Sequence, residues 1–232
     1  MSDVSTVSAI GHYCGRFTPG FFGEPLNSFS NIVFVLGALY AWRKWRLNGS
    51  EDRWQLLLFA LVASVGVGSF VFHSIPTEIT LWGDLVPIQI FGLTLLGYVL
   101  LRYLCLPPFF TAAMLVVFFL VRQYWIVATP HGAFGGGITH VPTLVLLIAV
   151  TFLVRHKGIA LWRHLAAASV IYAAALAVRS WDLALCSSFP WGLHWAWHLL
   201  SALTASLLVL GVAVAPPNKG LQATSALSRR RA

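Results

Sequence analysis

The stretch GLHWAWHLLSAL, residues 192–203, sets two imidazoles four residues apart inside a run that is otherwise apolar. Positions i and i+4 share one face of a helix, so His194 and His198 stack on one side of it. The apolar run around them extends from residue 190 to 214, enough to cross about 30 Å of hydrocarbon. Ionisable side chains are expensive in such a helix and mark function or pairing. The first reading is therefore a membrane span with a reason to carry histidine.

The rest of the chain fits that reading. Of its 232 residues, 58% are hydrophobic and only 9% charged, whereas soluble domains are nearer a quarter charged. Hydrophobic length predicts seven spans, at residues 27–44, 54–75, 79–102, 108–127, 139–155, 160–180 and 190–214. Short turn-rich links such as SIPTE and CLPP separate them. Lipid offers backbone groups no hydrogen bonds, so the spans must be helices. The expected fold is an all-α integral membrane protein, a seven-transmembrane helix bundle. Residues 1–26 form an extramembrane segment without a signal-peptide core. Residues 27–214 form one domain, and 215–232 a disordered basic tail.

The net charge of +8 is read as topology rather than as nucleic-acid binding. With the N-terminus outside, twelve of the fifteen Lys and Arg fall inside, and only Arg16, Arg122 and Arg179 fall outside. That asymmetry places the C-terminus in the cytoplasm. Cys14 and Cys186 then face outward and Cys105 inward. An oxidising exterior permits a Cys14–Cys186 bridge; three unrelated cysteines are the alternative.

Polar residues within spans converge on one depth. The second span ends with Ser69 and His73, which share a face. The third begins with Asp84, and the seventh with His194 and His198. All five fall near outer helix ends. Three His ligands leave a fourth tetrahedral position for water, as in catalytic zinc sites. Zinc lowers the pKa of that water; Asp84 is placed to take its proton and Ser69 to hydrogen-bond a developing oxyanion. Interhelical hydrogen bonding by the histidines and axial ligation of haem remain as alternatives. His131 and His140, flanking GAFGGGIT, read as loop residues. His156 and His164 fall at the opposite end.

At these residues the chain resembles the alkaline ceramidase-type family of seven-helix membrane hydrolases, within a wider group that includes adiponectin and progestin receptors. GSFVFHSIPTEITLWGDLVP (68–87) is similar to its Ser, His and Asp block. HWAWHLLSAL (194–203) is similar to its His-x-x-x-His, and EPLNSFSN (24–31) to its Glu-x-x-Asn-x-x-Ser-Asn. The resemblance implies zinc held by His73, His194 and His198, with Asp84 and Ser69 beside the water. The substrate it implies is a membrane lipid with an N-acyl amide, ceramide or a relative. A zinc-containing receptor or sensor with little turnover is the second reading, and a haem-binding electron carrier the third.

The resemblance also implies calcium near the first span, but IGHYCGRFTPG carries no acid. Calcium takes six or more oxygens, usually several carboxylates, so calcium is not expected. Glu24, Asn27 and Asn31 are expected to cap the first helix or to support the site across helices. A bacterial inner membrane, with the site near the outer leaflet, is the expected location. Oligomeric state is not legible. The charge asymmetry makes a direct prediction: a reporter fused after Ala232 is cytoplasmic, and an external reporter would reverse the leaflet assignment.

Overall fold

The computed structural model describes residues 13–18, 21–130, 133–215 and 217. His131 and almost all of the tail at 215–232 lie outside the described residues, as do residues 1–12. Every regular element among the described residues is a helix. A short α1 (Pro25–Phe29) leads into α2 (Ile32–Leu47), then α3 (Arg53–Ser74), α4 (Glu78–Arg102) and α5 (Pro108–Ala128). A 3-10 segment (Ala133–His140) precedes α6 (Val141–His156), α7 (Trp162–Leu185) and α8 (His194–Val214).

Six helical segments among the described residues are long and apolar enough to cross a membrane. The first expected span is the exception: α2 has 16 residues and rises about 24 Å. Its predicted start at residue 27 is taken by α1, which breaks from α2 at Ser30 and Asn31. The bundle's outside is apolar: Ile79 is 84% exposed, Phe109 78% and Val127 85%. Such a surface is untenable in water and normal in lipid.

The interior is packed by aliphatic residues of α2, α3, α4, α6, α7 and α8, including Ala41, Leu58, Val62, Leu100, Val154 and Val209. Helix α5 contributes little to it, burying only Thr111. At the end of the bundle remote from His73, Asp52, Gln55 and Tyr98 form a local polar network. Asp52 caps α3 by accepting from the Trp54 amide at 3.1 Å. The Tyr98 hydroxyl donates to the other Asp52 oxygen at 3.0 Å and accepts from Gln55 at 2.8 Å.

At the His73 end, a close crossing joins α3 to α4. Pro87 lies inside α4 and has no N–H, so the Gly83 carbonyl, four residues back, loses its helical donor. That carbonyl lies against Gly68 of α3, where an added Cβ would run into it. Glycine at 68 thus permits the approach, and the next residues along, Ser69 and Asp84, are brought together. Gly68→Ala should destabilise the fold by about 1–3 kcal/mol through overpacking and separate Asp84 from Ser69. Thermal unfolding in detergent measures this; an unchanged melting temperature would contradict the close crossing.

Candidate metal centre

His73 comes from the last turn of α3, and His194 and His198 from the first turns of α8. All three are buried, and one ligand-capable nitrogen of each lies within 4.8 Å of the others. His73 Nε2 and His194 Nε2 are 3.3 Å apart. Two nitrogens each about 2.05 Å from a tetrahedral zinc would stand about 3.3 Å apart, so the spacing fits.

The opposite ring nitrogens support that fit. His73 Nδ1 meets Glu24 Oε2 at 2.6 Å. A carboxylate can only accept, so Nδ1 carries the proton and Nε2 presents its lone pair. His198 Nδ1 lies 2.9 Å from the Asn27 carbonyl oxygen and 2.9 Å from Ser30 Oγ, which fixes the same tautomer. Lone pairs this close repel one another unless a proton or a cation lies between them. Convergence on one point suits a single ion, whereas haem would need two imidazoles on opposite faces of a wide ring.

Glu24, Asn27 and Asn31 do not cap helices with their side chains. Glu24 is the first residue before α1, yet it reaches across to α3. Its Oε1 pairs with Arg16, through Nη2 at 2.7 Å and Nε at 2.8 Å. Its Oε2 takes His73 and the Asn27 amide, the latter at 2.9 Å. Burial would raise the Glu24 carboxyl, but His73, Asn27 and Arg16 outweigh it and hold the group below the usual carboxylate range. Both oxygens are thereby committed. Asn31 Nδ2 donates to the Asn27 carbonyl at 2.8 Å, steadying the oxygen that orients His198.

Asp84 is half-buried on α4, beside the Ser69 hydroxyl and facing His73. All five sequence candidates for the chemistry are therefore together. Cys14 and Cys186 form a disulfide, with Cα atoms 5.6 Å apart. It ties the N-terminal segment to the end of α7, and this brings Tyr13 onto His194, stacked at 4.2 Å.

Three neighbours were not singled out by the sequence, while Ser30 stands in the EPLNSFSN block without a role of its own. Tyr13 gave no signal, being ordinary outside a span. Asp182 was placed in a link, but α7 runs on to Leu185 and buries it. Its Oδ1 accepts from the Leu193 and His194 amides, at 2.7 and 3.0 Å. It thus caps α8 from another helix and sets the position of His194. Arg179, counted among the outer charges, lies within α7 with Nη1 against His194 Nδ1. His140 is not free in a loop either; it directly precedes α6 and faces Trp197 at 5.1 Å.

One turn deeper lies an apolar cavity of about 170 Å³. Val65, Ile88 and Ser201 line it, each one turn from Ser69, Asp84 and His198 respectively. Phe91, Leu146 and Leu208 extend it between the helices.

A family model described as Ceramidase matches residues 18–224. The chain belongs to the Ceramidase family. No curated protein and no solved structure gave a match. The matched span of the Ceramidase-family chain holds Glu24, Asn27, Ser69, His73, Asp84, His194 and His198, and membership points to hydrolysis of a lipid amide.

Metal analysis of the purified Ceramidase-family chain provides the test. His73→Ala, His194→Ala and His198→Ala should each remove most of the zinc, while His156→Ala keeps it. Glu24→Gln, which alters only the support of His73, should weaken zinc binding by about 10- to 100-fold. Full zinc retention in His194→Ala would refute the ligand set.

Proposed function

We propose that this chain is a zinc-dependent intramembrane amidase acting on ceramide or a related N-acyl lipid. The observation that carries the reading is the trio of imidazole nitrogens within 4.8 Å of one another, oriented by Glu24 and Asn27, with Asp84 and Ser69 alongside. In this reading the fold is a seven-span bundle over residues 27–214, α2 being the first span. The N-terminal segment 1–26 is outside and the basic tail 215–232 cytoplasmic. The membrane is a bacterial inner membrane, and the site faces its outer leaflet. The Cys14–Cys186 bridge belongs to that oxidising side. Calcium has no part in the reading, because Glu24 is committed to Arg16 and His73 and the segment around Cys14 carries no other acid.

His73, His194 and His198 would hold the zinc. When bound, zinc lowers the pKa of water toward neutrality and polarises a carbonyl. The lipid chain lies in the apolar cavity, which sets the amide one turn above it, level with the imidazoles. Asp84 takes the proton from the attacking water and passes it to the departing amide nitrogen. Ser69 donates to Asp84 or to the oxygen that gains charge. The C–N bond breaks, releasing a fatty acid and an amine.

Asp84→Asn tests the chemistry apart from binding. It keeps size and removes the base, so zinc content should stay while turnover of a responsive N-acyl lipid falls about 10²–10⁴-fold. Loss of zinc would make Asp84 a ligand. Full activity with zinc bound would assign the proton transfer to another group.

A further inference from the structure

Arg179 is a cation at the edge of the imidazole cluster that makes no direct ion pair among the described residues. Its guanidinium touches His194 Nδ1 and lies 4.9 Å over the Tyr13 ring. Among the described residues, the ion pairs join Arg16 and His73 to Glu24 and Arg102 to Asp52; none reaches Arg179. Asp182, one turn along α7, turns Oδ1 to the α8 amides, and its Oδ2 meets no donor. Asp182 and Asp84 both act on Arg179 through space without closing an ion pair, and the Tyr13 side chain is its hydrogen-bond partner beside His194. Behind Arg179, the glycines of the 3-10 segment press on the α7 backbone, Gly135 on the Arg179 carbonyl and Gly137 on Ser180. That segment, AFGGGITH, has no acid to offer.

The contact with His194 is itself provisional on the metal. Arginine only donates, so it meets Nδ1 when that nitrogen is unprotonated. If His194 gives its Nε2 lone pair to zinc, as the proposed function requires, Nδ1 carries the proton and two donors face each other. The guanidinium is then free to turn to an acceptor in the site. A cation in apolar surroundings strongly favours an anionic partner, and the guanidinium fork matches a carboxylate.

We infer that Arg179 reads a carboxylate next to the scissile amide, so that within the N-acyl lipids of the proposed function the preferred class carries an amino-acid carboxylate beside the amide. In such a lipid the carboxyl carbon is two bonds from the amide nitrogen. With the carbonyl at the imidazoles, the carboxylate falls beside the ring of His194, where Arg179 lies. A neutral diol or ethanolamine head would offer the guanidinium no anionic partner of its own, leaving it only the through-space pull of Asp182 and Asp84. This inference rests on the proposed amidase reading for the orientation of the lipid.

The test compares N-oleoylglycine with N-oleoylethanolamine, which share an acyl chain and differ in charge. Dissociation constants and kcat/KM are measured on the zinc-loaded full chain in detergent, with zinc content as a control. The wild type should favour the glycine compound by about 10- to 100-fold. Arg179→Gln should bring the ratio close to one with zinc retained, and Arg179→Lys should leave it in between. Equal affinities in the wild type would overturn the inference, as would a preference that survives Arg179→Gln, which would place the carboxylate on the metal. Should Arg179→Gln fail to fold, a wild-type ratio in Arg179→Lys would overturn the role of the fork. Arg179-dependent binding without turnover would leave the inference standing and sink the amidase reading. Equal turnover of both compounds would do the reverse.

Discussion

Three imidazole rings held in an apolar bundle by hydrogen bonds to their outer nitrogens are the constraint on which this structure depends. A buried histidine must place two ring nitrogens, and an unpaired polar group in hydrocarbon costs several kcal/mol. Here His73 and His198 settle Nδ1 on Glu24 and on the Asn27 carbonyl. Both partners come from the segment that precedes α2. That is why α1 and the turn at Ser30 and Asn31 fold back over the bundle end instead of extending the first long helix. The remaining nitrogens point at one another, an arrangement that a shared proton can bridge only pairwise and that one cation satisfies for all three.

The other devices deliver residues to that point. Gly68 and Pro87 let α3 and α4 cross closely, bringing Asp84 to Ser69. Asp182 caps α8 from α7 and so places His194. The disulfide from Cys14 to Cys186 carries Tyr13 onto the His194 ring. Each contact joins different helices or segments, the disulfide across 172 residues. The site is therefore a tertiary object, although its depth is set simply by where the apolar helices end.

Much of this was legible in the sequence because lipid is a strict solvent. Length and hydropathy mark the helices, and an ionisable residue in an apolar run stands out. His73, Asp84, His194 and His198 were visible for that reason, and helical spacing paired Ser69 with His73. The same signal fails at helix ends, where polar residues are ordinary. Hydropathy ends the sixth span at residue 180, which leaves Asp182 in the link and Arg179 as an outer end charge, whereas α7 continues to Leu185. The roles of Glu24 and Asn27 were left between capping and cross-helix support. Local pattern cannot separate these, since the deciding partners, His73 and His198, lie 49 and 171 residues away. Ser30 stands in the EPLNSFSN block, but nothing local tells that its hydroxyl meets His198, 168 residues away.

The central claim is that this polar pocket exists to hold one zinc ion on three imidazoles. X-ray absorption at the zinc edge, on protein purified without added metal, tests it most directly. The account predicts one zinc per chain with three imidazole nitrogens at about 2.0–2.1 Å and an oxygen completing the shell. A chain that binds no zinc, or a zinc bound through sulfur or through fewer than three imidazoles, would contradict it.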